Sequence, residues 1–142
     1  RFDEKGKIDL GGATAYSISN DGLTYVFKLN PLAKWHVPSA VKANFESLNI
    51  EKFDNKITAE DYIYGITRFI QSSNKALSSI KGASTYDPDD KESTLGLKAI
   101  DEYTLEITLE RVSPIASLMT RLARLSYGVS LLLIRTRFVP LK

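Results

Sequence analysis

The sequence predicts an α+β fold: a mixed or antiparallel sheet with two β-hairpins, packed against two or three helices. Three observations carry this. Residues 13–30 and 95–110 each contain alternating apolar and polar positions that fold back on a turn signal. Thr58–Ser72 instead repeats its apolar residues at helical spacing. The chain has 142 residues, 43% hydrophobic and 25% charged, so a single domain over 1–142 with its own core is expected.

Ala13–Ser19 reads as a strand with Tyr16 and Ile18 on one face. Asn20-Asp21-Gly22 is a turn, because Gly takes positive φ freely and Asn and Asp tolerate it. In Leu23–Asn30 the residues Leu23, Tyr25, Phe27 and Leu29 share one face, while Thr24, Val26 and Lys28 share the other. Pro31–Asn55 is irregular, with Trp35 and Phe45 expected to tether it to the core. Thr58–Ser72 is the strongest helix. Thr58 is its cap, Asp61 follows three residues on as in a capping box, and Glu60 and Asp61 suit the helix dipole. Its apolar stripe is Ala59, Tyr62, Ile63, Ile66, Phe69 and Ile70. Ile63, Ile66 and Phe69 are expected to be buried against Leu105, Ile107, Phe27 or Leu29.

A short helical turn is expected around Lys75–Ile80, then a polar loop over Gly82–Thr94. Leu95–Ile100 and Tyr103–Glu110 form the second hairpin, joined at Asp101-Glu102, with Leu105, Ile107 and Leu109 on one face. Ser113-Pro114 opens another helix, striped by Ile115, Leu118, Met119 and Leu122, and Val129–Phe138 reads as a last strand.

The inventory for catalysis is thin, and no catalytic residue, cofactor or metal site is expected. His36 is the one histidine and there is no cysteine, so thiolate metal sites and cysteine nucleophiles are excluded. No nucleophile elbow, phosphate-binding glycine loop or dinucleotide fingerprint is present. Asp87, Asp89 and Asp90 suggest a calcium loop, but an EF-hand counted from Asp87 would need Gly and Glu where Glu92 and Lys98 stand. The aromatic set Tyr16, Tyr25, Phe27, Trp35, Tyr62, Tyr64 and Phe69 fits either a ligand groove or a core, and its spacing favours the core.

The net charge is +2, too small to point to nucleic acid. From Arg111 to Lys142 there are six basic residues and no acidic one. That stretch suits a membrane-surface or nucleic-acid patch, or a solvated outer face, and the solvated face is favoured. Arg1–Leu10 is polar without an apolar signal region, and the chain begins at Arg1 rather than Met. A processed or excised piece is expected. The longest apolar run, Leu131–Ile134, is far short of the roughly 20 residues that span a bilayer.

The order of the motifs adds a resemblance. Ala15-Tyr16-Ser17-Ile18-Ser19-Asn20-Asp21-Gly22-Leu23-Thr24-Tyr25-Val26-Phe27-Lys28-Leu29 resembles the phrase A-x-S-W-x-x-S-x-D-G-L-T-Y-T-F-x-L, with Ala33-Lys34-Trp35 following. Ile57-Thr58-Ala59-Glu60-Asp61-Tyr62-Ile63-Tyr64-Gly65 is similar to V-T-A-x-D-x-V-Y-S. Leu95-Gly96-Leu97-Lys98-Ala99-Ile100-Asp101-Glu102-Tyr103-Thr104-Leu105-Glu106-Ile107-Thr108-Leu109-Glu110 is similar to L-G-V-K-A-L-D-D-Y-T-L-E-V-T-L-E. These phrases mark the extracytoplasmic solute-binding proteins of family 5, the oligopeptide-binding proteins of ABC importers.

The resemblance runs over about 13–118. His36–Lys56 is longer than the family turn there, and 121–142 diverges from the family phrase. The resemblance implies a fragment: the accessory domain of the first lobe in a larger two-lobed protein. It implies an extracytoplasmic protein in the periplasm or at the cell surface, lipid-anchored at full length. The partners it implies are a peptide ligand, the remaining lobes and an ABC permease, with no nucleic acid. Peptide binding by the fragment alone is expected to be weak or absent. The family's helix end borders the ligand cleft, which makes Tyr64, Ser73 and Asn74 candidate ligand-binding residues. Family members also bind nickel complexes, haem or sugars, and a surface interaction or adhesion domain without a transport role is the remaining alternative.

Overall fold

A computed structural model of the chain describes residues 12–35, 55–72 and 77–114. Its strands are β1 (Ala13–Ile18), β2 (Thr24–Leu29), β3 (Leu97–Asp101) and β4 (Thr104–Thr108), with one helix, α1 (Ala59–Ser72), between the hairpins. The sheet order is β1-β2-β4-β3, and every neighbouring pair is antiparallel. The α+β class is as expected, and of the two sheet types anticipated the antiparallel one is found. The helix expected from Pro114 and the strand expected at Val129–Phe138 fall outside the described residues, as does Phe45.

The first hairpin turns where the sequence asks it to. Gly22 has φ +71°, and its N–H donates to the Ser19 carbonyl at 2.9 Å. The Asp21 carboxylate accepts from the Leu23 N–H at 3.0 Å and from the Ser19 hydroxyl, which ties the turn to its own side chains. The second hairpin closes one residue later than the dipeptide suggests. Asp101 pairs with Thr104, so Glu102 and Tyr103 form the turn.

The pairing registers collect the apolar side chains into two rows on one face. Tyr16, Phe27, Leu105 and Ala99 form one, and Ile18, Tyr25, Ile107 and Leu97 the other. The alternation of β2 and β4 therefore produces the core: Tyr25, Phe27, Leu29, Leu105, Ile107 and Leu109 are all buried. The Tyr25 and Phe27 rings lie 6.4 Å apart at 15°, and the Tyr16 and Phe27 rings 6.2 Å apart at 35°. Helix α1 packs on β3 and β4. The β1 ends of both rows stay open, with Tyr16 42% and Ile18 41% exposed.

The helix buries a narrower stripe than the spacing predicts. Ala59, Ile66 and Ile70 are fully inside, whereas Ile63 and Phe69 are only partly buried against the same cluster. Of the expected trio, Ile66 alone is in the core. At about 100° per residue, Phe69 lies on the flank of the line through Ala59, Ile66 and Ile70.

Two connections are more ordered than their composition suggests. Residues 31–35 and 55–56 pair at the mouth of the irregular stretch, with a Lys34–Lys56 bridge and the Trp35 N–H donating to the Asn55 carbonyl at 2.7 Å. The polar loop after Gly82 begins with a 3-10 turn, Ala83–Thr85, and Ala83 is buried. Just before it, Leu77–Ile80 makes the expected turn, and Ile80 bridges Leu109 with both side chains inside.

Candidate functional site

The candidate ligand-facing residues cluster in sequence at and beyond the last turns of α1. The position of that end is set at the other. Thr58 and Asp61 cap each other: the Thr58 N–H donates to Asp61 Oδ2 at 2.9 Å, and the Asp61 N–H to Thr58 Oγ1 at 3.4 Å. This is the reciprocal box expected from the sequence, closed by a buried Asp61. The Ala59 N–H then donates to the Glu102 carbonyl at 2.9 Å, and Lys56 Nζ lies 3.6 Å from Glu102 Oε1. The first turn of α1 is thereby pinned to the β3–β4 turn. The exposed ion pair adds little to stability, since such pairs contribute about 0–1 kcal/mol.

Tyr64 lies on the outer face of α1, 43% exposed, in line with the exposed Glu60 and Arg68 one turn either side. Ser73 and Asn74 fall outside the described residues. The described structure therefore presents Tyr64 to solvent and does not bring the three together. At the helix end the Ser72 hydroxyl donates to the Phe69 carbonyl at 2.8 Å. No metal-binding constellation of three or more His, Cys, Asp or Glu occurs among the described residues. Among them, too, no helix is long and apolar enough to cross a membrane.

The charged groups that do interact are on the other side of the sheet. Lys28 Nζ donates to Thr104 Oγ1 at 2.8 Å, and that hydroxyl donates to Asp101 Oδ2 at 2.8 Å. Asp101 also accepts from the Tyr103 N–H at 2.9 Å. The Thr104 hydroxyl, then the Tyr103 amide and the Lys28 charge, hold the Asp101 carboxyl below the usual aspartate range. Sequence alternation places Lys28 and Thr104 on the polar faces of their strands, and the β2–β4 register makes them neighbours. Nothing in their local spacing announces the contact.

A depressed carboxyl pKa stabilises the fold above the unfolded-state value, and that contribution is lost as pH falls through the folded-state value. Side-chain carboxyl shifts followed by NMR should therefore show Asp101 titrating below ordinary aspartate. Thr104→Val should move it upward; an unchanged titration would remove Thr104 as the cause.

This arrangement has no catalytic dyad and no charged pocket among the described residues; what it offers is a rigid helix presented by a capped sheet. Comparison with known proteins supplies the context. The family model "Bacterial extracellular solute-binding proteins, family 5 Middle" matches residues 7–131. The chain belongs to this family. Family 5 relatives include the oligopeptide-binding protein AmiA of Streptococcus pneumoniae, 29% identical over 118 residues, or 79% of this chain and 16% of that one. Oligopeptide-binding protein AliB from the same species is 30% identical over 113 residues, 75% of this chain and 16% of its own.

Among solved structures, Listeria monocytogenes OppA bound to peptide superposes with a TM-score of 0.60 at 27% identity, over 82% of this chain and 21% of that one. The pheromone receptor PrgZ gives 0.62 at 26% identity, over 84% and 22%. The chain thus spans under a quarter of the length of these family 5 proteins.

Proposed function

We propose that this chain is one domain of a protein that captures oligopeptides outside the cytoplasm and delivers them to an ABC importer, without covalent chemistry of its own. The observation that carries the reading is the structural match to OppA bound to peptide. The oligopeptide-binding names of AmiA and AliB point the same way. The complete protein on this reading is anchored at the cell surface or held in the periplasm, and its other lobes supply most of the ligand contacts. Tyr64, Ser73 and Asn74 are the groups of this domain proposed to border the cleft.

A two-lobed site holds its ligand from both sides and largely desolvates it. One domain supplies only a fraction of those contacts and must still offset the entropy of association. Calorimetry of the 142-residue chain with a mixture of short peptides should therefore give weak binding or none. Micromolar or tighter binding would overturn this division of labour. The positive test is a chimera: residues 7–131 placed in Listeria monocytogenes OppA over the superposed segment. Peptide affinity should stay within about tenfold, a change of about 1.4 kcal/mol. A folded chimera that has lost peptide binding would refute the assignment.

A further inference from the structure

The two edges of the sheet are built differently. The β3 edge carries Lys98 and Asp101, and its pairing with β4 is interrupted by a bulge between Ala99 and Asp101. Charges and bulges are the usual devices that keep an edge strand from recruiting another chain. The β1 edge, Ala-Thr-Ala-Tyr-Ser-Ile, has no charge and no proline, and every residue after Ala13 is exposed. Its one irregularity lies at the far end, between Ala13 and Ala15, and leaves Tyr16–Ile18 regular.

The hydrogen-bond phase shows which groups face outward. The Ser19 N–H donates to the Thr24 carbonyl, so Ser17 and Ser19 direct their backbone groups toward β2. The Leu109 N–H donates to the Leu23 carbonyl, which gives β2 the matching alternation. Tyr16 and Ile18 therefore point their N–H and C=O groups away from the sheet, and no described residue pairs with them.

We propose that β1 is a self-association edge, at which a second copy of this chain adds its own β1 antiparallel about a two-fold axis through Ser17. In that register Tyr16 faces Ile18 of the second copy, and Ile18 faces its Tyr16. Each facing pair exchanges two backbone hydrogen bonds, because all four residues present outward groups. The two-fold keeps the same sheet face on the same side, so the half-exposed Tyr16 and Ile18 side chains cover each other. No like charges meet, because the strand has none. A second copy is the favoured occupant because this edge is complementary to itself in both backbone phase and side chains. The contact joins two four-stranded sheets into one, and its small area makes it a weak, reversible dimer.

Sedimentation velocity on the full chain tests this. The average mass should rise toward twice the chain mass between about ten micromolar and about one millimolar, the range of a small interface. Tyr16→Lys with Ile18→Lys should stay monomeric throughout, as should Tyr16→Glu with Ile18→Glu. An equimolar mixture of the two should dimerise again, since Lys then faces Glu at every pair. Far-UV circular dichroism reports that both variants keep the fold. Hydrogen exchange on the unmodified chain gives a readout free of mutation: Tyr16 and Ile18 amides should gain protection with concentration, while Ser17 is protected throughout. A monomer at the highest concentration, a dimer indifferent to the double lysine, or a mixture that stays monomeric would each overturn the proposal.

Discussion

Ile70→Ala should lower the free energy of unfolding by about 2–5 kcal/mol, and Phe69→Ala by clearly less. The two residues are adjacent in α1 and equally apolar, yet Ile70 is wholly buried while Phe69 is only partly so. Ile70 belongs to the cluster that contains Leu105, Ile107 and Leu109 of the sheet. Truncating it removes apolar contact and leaves a cavity that the sheet, pinned on both sides by strand pairing, cannot close. Phe69 keeps water access on one side, so its removal forfeits less burial and opens no sealed void. Denaturant melts of the two variants, compared by midpoint at unchanged slope, decide the matter. A Phe69→Ala loss equal to or above that of Ile70→Ala would rotate the buried stripe toward the position that spacing alone suggests.

That contrast shows where sequence reading succeeds here and where it stops. Strand periodicity has only two outcomes per residue, so one buried face of β2 and β4 follows directly from the alternation of Tyr25, Phe27, Leu29 and of Leu105, Ile107, Leu109. Turn chemistry is equally local, which is why Asn20-Asp21-Gly22 and the Thr58–Asp61 box lie as expected. A helix offers a continuum of orientations, and a wide apolar arc such as Tyr62 to Ile70 does not say which line faces the sheet. Only the docking onto β3 and β4 decides that. The Lys28–Thr104–Asp101 contacts depend on strands 76 residues apart in sequence coming into register, so no local pattern carries them. Of the ligand-facing candidates, Tyr64 emerges as an exposed helix residue, which periodicity could have foretold from Glu60 and Arg68.

Gly82→Ala should cost about 2–4 kcal/mol, far beyond what one methyl group ordinarily does at a surface loop. Two independent terms add at this position. Gly82 has φ +79°, a left-handed conformation that costs an alanine about 1–2 kcal/mol. A Cβ built there would also stand 2.1 Å from the Thr94 carbonyl oxygen, a backbone atom that cannot swing aside as a side chain would. The neighbourhood cannot easily yield. Gly82 donates to Glu110 Oε1 at 2.8 Å and is flanked by Ile80 and Ala83, both fully buried. Moving it would disturb the Ile80–Leu109 bridge and the segment that carries Gly96 onto Thr108. Gly22→Ala is the matched control. Its φ of +71° imposes the same conformational cost, but its Cβ would meet only Val112 methyl groups at 3.5 Å, an ordinary contact. The difference between the two variants in denaturant midpoint then isolates the steric term at Thr94. If the Gly82 variant loses no more stability than the Gly22 variant, the Gly82–Thr94 loop gives way freely, and the approach of these two backbones is not a fixed part of the fold.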